Sequence, residues 1–124
     1  MKSKEPRIVK PLPESLTGWR RRSFLSEVKH LADHSFRPRL IVDMTAVREI
    51  EPDSIDLLLE CVEQMEHADG RVSVAGPSPE AAVIFELTRL TSVLDVFPSV
   101  SEAMSGEVLP YPMSAPSGAR PLAA

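Results

Sequence analysis

The sequence predicts an α/β fold: a single domain with a small mixed sheet, crossover helices between its strands, and a disordered C-terminal tail. Three observations carry this. Short apolar runs of strand length alternate with longer stretches whose apolar residues recur every three or four positions. Proline, glycine and serine stand at the joints between them. The order along the chain is strand, helix, strand, helix, strand, helix, strand, helix, the pattern of a sheet with crossover helices. No internal repeat and no second domain interrupts it.

Residues 1–6 are charged and read as a flexible N-terminus, and the domain is expected over residues 7–105. Arg7-Ile8-Val9-Lys10 has strand character. Pro11 and Pro13 confine it to an edge or cut it short, because each lacks the backbone donor that a central strand needs. Ser15 or Thr17 is suited to cap a first helix, whose inward face reads Phe24, Leu25, Val28, Leu31 and Ala32. Trp19 lies off that face. Pro38 biases Arg37 away from helical angles, so the helix ends in the stretch from His34.

The stretch from Arg39 to Met65 organises the rest. Leu40-Ile41-Val42 is an unbroken apolar run ending at Asp43-Met44. Asp43 there is suited to accept backbone N–H bonds from the following loop. After the bend Thr45 to Glu51, a second helix begins at Pro52-Asp53-Ser54. Its apolar positions are Ile55, Leu58, Leu59, Val62 and Met65. Pro52 suits the first helical position, and Asp53 sits where the helix dipole favours a carboxylate. Either Glu51 or Asp53 can serve as the cap. A helix start behind a strand end is also where open α/β sheets place ligand or partner contacts.

Asp69-Gly70 closes that helix, with Gly70 suited to a left-handed C-terminal position. Arg71 to Ala75 is the next strand. Ser78 and Pro79 start a third helix with Val83, Ile84, Leu87 and Leu90 directed inward. Val93 to Phe97 forms the last strand, and Ser99 caps a short helix through Met104. Residues 106–124 contain four prolines and two glycines among small residues. Such a segment buries too little apolar surface to order itself, and a disordered tail is expected.

Composition narrows the function. The net charge of −4 argues against nucleic acid, and the basic triplet Arg20-Arg21-Arg22 lacks interleaved stacking aromatics. A single cysteine, Cys61, excludes an internal disulfide; beside the apolar face of the central helix it reads as a buried, inert thiol. No apolar run approaches the ~20 residues that span a bilayer, and no signal-peptide core follows Met1. The chain reads as cytoplasmic, without direct membrane insertion.

Catalytic motifs are missing as well. The five glycines stand far apart and form no phosphate loop. No Ser-x-x-Lys, G-x-S-x-G or Cys-His constellation is present. His30 and His34 share a helix face, but two ligands are too few for a metal centre. A phosphorylatable receiver would need an acidic pair after the first strand and a late lysine. Only Glu14 is available, and no lysine follows Lys29. The expectation is a non-enzymatic protein with no cofactor and no metal.

The run from Leu40 to Met65 resembles the core of STAS domains, the family of bacterial anti-sigma factor antagonists. Their strand ends Asp-Leu-Ser, and their helix opens Asp-Ser-Ser-Gly-Leu-Gly. Here the strand ends Asp43-Met44-Thr45, and Glu51-Pro52-Asp53-Ser54-Ile55-Asp56 stands at the helix start. Leu57-Leu58-Leu59 continues in register. Val74 to Glu80, Leu87 to Leu90 and Val96 to Ala103 resemble the family's later strands and helices, so the resemblance covers roughly residues 7 to 105.

The resemblance implies a protein-binding regulator of transcription that docks through the start of the central helix. Met44, Glu51, Pro52, Asp53, Ser54, Ile55 and Asp56 are the implied partner-binding residues. The implied partner is an anti-sigma factor or a histidine-kinase-like serine kinase. A STAS-type structural subunit of a lipid-transport ATPase complex is the alternative. In the family, the first serine of Asp-Ser-Ser-Gly is phosphorylated to disrupt binding. In the ungapped register that position is Pro52, which has no hydroxyl. A shifted register makes Ser54 the phosphorylation candidate, at the cost of moving Leu57 to Leu59 out of phase.

Overall fold

The computed structural model describes residues 7–13 and 18–105. Four strands, β1 (Arg7–Pro11), β2 (Arg39–Asp43), β3 (Arg71–Ala75) and β4 (Asp95–Phe97), lie in the order β1-β2-β3-β4. Helices α1 (Gly18–His34), α2 (Pro52–Glu66) and α3 (Pro79–Leu87) connect them. A 3₁₀ turn follows at Leu90–Ser92, and α4 (Val100–Ser105) comes after β4. The α/β class is as expected, but all three strand pairings are parallel rather than mixed. A strand's own residues specify its burial and not its direction. Here direction follows from the helical crossovers, which return the chain to the same end of the sheet each time. β1 lies at an edge and ends at Pro11, as its prolines require.

Alternation along the strands divides the core in two. Leu40, Val42, Val72, Val74 and Val96 face α1, α2 and α3 in one large cluster. Ile41, Ala75 and Phe97 face the other way and meet Ala103 and Val100 of α4. From α1, the expected Phe24, Val28 and Ala32 are buried, and Leu25 and Leu31 pack against them. The caps proposed at Ser15 and Thr17, the N-terminal segment 1–6 and the tail 106–124 lie outside the described residues.

Two helix faces are turned relative to expectation. On α2 the buried residues are Ser54, Leu57, Leu58, Cys61, Val62 and Met65. Leu59 is exposed, and Ile55 is only partly covered. On α3 the buried residues are Ala81 and Phe85, whereas Val83 is 53% and Leu87 77% exposed. The pair Ala81 and Phe85 forms the contact because the small Ala81 lets the helix approach, a choice that counting large apolar residues misses. Leu90 is buried, but from the 3₁₀ turn. Arg89, with φ 63°, ends the helix before it.

The end of α2 also differs from expectation. Asp69, with φ 58°, takes the left-handed position assigned to Gly70. Its N–H bonds the Glu66 carbonyl at 3.0 Å, and the Gly70 N–H bonds that of Met65 at 2.8 Å, a Schellman closure. Gly70 is needed for room instead: a Cβ there would overlap the Pro38 carbonyl oxygen. The last strand is shorter than expected, beginning at Asp95 instead of Val93.

Candidate functional site

Because all crossovers run the same way, α1, α2 and α3 begin beside the C-terminal ends of the strands. The loop between β2 and α2 is fixed there by bonds its own residues make. Asp43 Oδ1 accepts from the Thr45 N–H at 3.0 Å and from the Thr45 hydroxyl at 2.7 Å, the role expected of Asp43. The Met44 N–H reaches the Ala75 carbonyl at 2.9 Å, and the Val47 N–H returns to the Met44 carbonyl at 3.0 Å. From the other side, Gly76 (φ 68°) lies so close that a Cβ on it would overlap the Thr45 methyl. Its N–H bonds the Phe97 carbonyl at 3.0 Å. Three strand ends are thus tied to one another beneath the loop.

Glu51 is the N-cap of α2, and Pro52 occupies the first turn, which settles the choice of cap left open by the sequence. The Ser54 N–H donates to the Glu51 carbonyl at 2.9 Å, and the Ser54 hydroxyl accepts from the Glu51 N–H at 3.4 Å. Ser54 therefore closes the turn from inside and is only 5% exposed. Glu51, Pro52, Asp53 and Asp56 are exposed around it, and Ile55 is half-buried. Met44 is fully buried. It supports the loop from below and, contrary to its place among the surface residues implied by the sequence, has no area to offer a partner.

Beside this turn lies an open depression of about 310 Å³, bounded by Leu12 and Pro13 on one side and by Ala46, Val47 and Glu51 on the other. Sequence reasoning missed the contribution of Leu12 and Pro13. Their only signal was the position of β1 at the sheet edge, which brings its exit beside that of β2; the Leu12 N–H bonds the Asp43 carbonyl at 3.0 Å. The carboxylates of Glu51 and Asp53 lie at the positive end of the α2 dipole, where negative charge is favoured. Arg21 of α1 is paired with Glu60 and reaches the Asp53 carbonyl at 3.5 Å, holding α1 against α2.

Among the described residues, nucleophilic groups are not assembled here. The Cys61 thiol is pushed up to about 12, first by burial and then by the neighbouring Glu60 carboxylate. His30 and His34 stack on one another on α1, with ring centroids 4.2 Å apart. No group of three metal-ligating side chains occurs among the described residues, and no described helix is long and apolar enough to cross a membrane. What the site offers is an exposed acidic turn, tied by its own hydrogen bonds, beside an open depression that Arg48 and Glu49 also line.

The model of the STAS domain family matches residues 6–103. The chain belongs to the STAS domain family. No curated protein matches the sequence. Among solved structures, the chain is similar to an anti-sigma-factor antagonist (STAS) domain protein from Planctomyces limnophilus. The TM-score is 0.65 at 16% identity, over 79% of this chain and 87% of that one. A protein from Thermotoga maritima, described as a candidate anti-sigma factor antagonist, matches in its crystal structure with a TM-score of 0.60 at 17% identity. That match covers 86% of this chain and 82% of the other. Its solution structure matches with a TM-score of 0.68 at 15% identity, over 80% and 79%. At these identities the structures establish the STAS fold.

Proposed function

We propose that this STAS domain is a non-enzymatic, cytoplasmic regulator of transcription that binds another protein through the start of α2. Its partner is an anti-sigma factor or a histidine-kinase-like serine kinase. The observation that carries the reading is the exposed acidic turn Glu51-Pro52-Asp53, with Asp56 one turn on, held over the tied ends of β2, β3 and β4. Glu51, Pro52, Asp53, Ile55 and Asp56 are the proposed contact residues, and Met44 and Ser54 support them from within. Binding is the proposed role because, among the described residues, this surface brings together no nucleophile with a base.

The turn also bears on switching. In the ungapped register Pro52 stands at the position phosphorylated in the family, and a proline cannot accept a phosphate. The Ser54 hydroxyl is the nearest alternative, and it is buried and bonded within the turn. A kinase would have to open the first turn of α2 to reach it. We infer that partner binding here is not reversed by phosphorylation, so that the site stays in one state.

Affinity capture against the anti-sigma factors and histidine-kinase-like kinases of the source organism tests the docking. Binding that disappears in an Asp53→Lys, Asp56→Lys variant supports it. Capture of a lipid-transport ATPase instead would favour the structural-subunit role. Incubation with the bound kinase and ATP, followed by intact mass measurement, tests the fixed state. A single added phosphate that vanishes in Ser54→Ala would sink that part.

A further inference from the structure

The outer surface of α2 and the start of α1 carry adjoining patches of opposite charge. On α2 stand Asp53, Asp56, Glu60, Glu63 and Glu66, with no cation among them. Within the described residues only Glu60 of these is ion-paired, to Arg21. Among these carboxylates lies a groove of about 510 Å³, lined also by Arg21, Leu59 and Val93, the last two exposed apolar side chains.

The first turns of α1 are the chemical complement. Trp19 is 65% exposed, the most exposed aromatic among the described residues. The Arg20 guanidinium lies over its ring, 5.2 Å from the centroid. Arg20 and Arg22 are exposed and form no ion pair within the described residues. Tryptophan and arginine are the residues most enriched at the energetic centres of protein interfaces. An acid-rimmed apolar groove is a receptor of matching charge and polarity.

Direction makes the two patches self-complementary. α1 and α2 each follow one parallel strand and precede the next, so they run the same way. Arg21, in the first turn of α1, spans from the Asp53 carbonyl to Glu60 in the third turn of α2, which sets the start of α1 beside Asp56 and Leu59. A two-fold axis parallel to the helices, lying on their outer surface, sets α1 of one copy over α2 of the other. It does so twice, as an isologous contact requires. We propose that this face is a homodimer surface in which Trp19, Arg20 and Arg22 of one copy dock on Asp56, Leu59 and Glu63 of a second copy. Arg21 of the same copy balances Glu60 in the groove and leaves Asp56, Glu63 and Glu66 without an ion pair among the described residues. The second copy is the occupant because the chain itself supplies further arginines and an aromatic anchor to meet them. The inference does not rest on the function proposed above, and its test needs only the purified chain.

Sedimentation equilibrium of the full chain over a wide concentration range, at low and high salt, reads the association directly. The expected result is a reversible dimer that weakens as salt screens the charges. Two charge-reversed variants, Arg20→Glu with Arg22→Glu and Asp56→Arg with Glu63→Arg, should each lose dimerisation by roughly a hundredfold, the scale of like charges placed face to face. Mixed together, they should recover a one-to-one heterodimer, since both contacts of the pair are then attractive. Trp19→Ala should weaken the dimer by about tenfold as the loss of an interface anchor. Since Trp19 is the only tryptophan, its emission should shift with dimer formation. Circular dichroism checks that each variant remains folded. A chain that stays monomeric at every concentration overturns the proposal. So does a dimer indifferent to both reversals, or a mixture that fails to recover association.

Discussion

The two faces of the sheet are built to different depths. One is covered by α1, α2 and α3, and its layer of Leu40, Val42, Val72, Val74 and Val96 is apolar throughout. The other carries Ile41, Ala75 and Phe97 under the six residues of α4, and admits Ser73 and Asp95 among its buried residues. Asp95 is tolerated there because Arg71, on the next strand, grips it at 2.8 and 2.9 Å. The contrast teaches where the free energy of the fold resides. The helical face holds the strands by hydrophobic burial, and the α4 face holds them by a small apolar patch plus a charged clasp. The proposed docking turn belongs to the first: it is the exposed end of the helix whose other positions fill the deeper core.

Neighbouring residues on β2 test that contrast most directly. Leu40 and Ile41 are both buried, on opposite faces. In the deeper core, Leu40→Ala should cost about 4 kcal/mol and Leu58→Ala about the same, near the upper end of the range for such truncations. Ile41→Ala should cost about 2 kcal/mol, because α4 can settle into the space. Urea unfolding supplies both values. Equal losses would mean that the faces are equally packed and would break the comparison.

A smaller effect is expected where the second face meets the site. Gly76→Ala should cost about 1–3 kcal/mol, through its positive φ and the overlap with Thr45. In a Thr45→Ser background part of that loss should return, since the overlapping methyl is gone; recovery would separate steric overlap from backbone strain. Smaller again is the clasp. A double-mutant cycle on Arg71 and Asp95 should give a coupling of about 1 kcal/mol, since the arginine is largely exposed. A coupling near zero would leave the second face to its apolar patch alone.

The deeper core also makes a chemical prediction. Cys61, buried in it with its thiol pushed up to about 12, should resist alkylation in the folded protein near pH 8 and react on unfolding. The unfolded thiol ionises near its ordinary value of 9.0, so its contribution to stability is complete below pH 9. That contribution declines as pH rises from there towards 12. Rapid labelling of the native protein would show that α2 opens locally.

The sequence made the element order legible, and with it much of the candidate site. Pro52, the bonding of Asp43, the caps Ser78 and Ser99 and the burial of Cys61 follow from local rules. Ser78 accepts from the Ala81 N–H at 3.1 Å and Ser99 from the Glu102 N–H at 3.2 Å, as their positions imply. What local rules missed depends on distant neighbours. The left-handed residue at the end of α2 is Asp69, and Gly70 is a glycine for another reason: Pro38, in the segment before β2, occupies the space where a Cβ would stand. α3 turns Val83 and Leu87 outward because Ala81 and Phe85 reach the core. The burial of Met44 and Ser54 likewise reflects where the chain returns, which residue type alone does not encode.

The strand order has a further consequence for how the chain can be assembled. Position in the sheet follows position in the sequence, β1-β2-β3-β4, so no strand has to be inserted between two already in place. A chain emerging from the ribosome can add each strand to the free edge left by the one before, with the connecting helix already synthesised. Partners in the first two pairings, Arg7 with Arg39 and Arg39 with Arg71, are far apart in sequence. Those in the third, Ser73 with Asp95, are closer. No pairing is a local hairpin, so each step waits on closure of a helix-length loop, and the growing edge stays open until the next strand has been made.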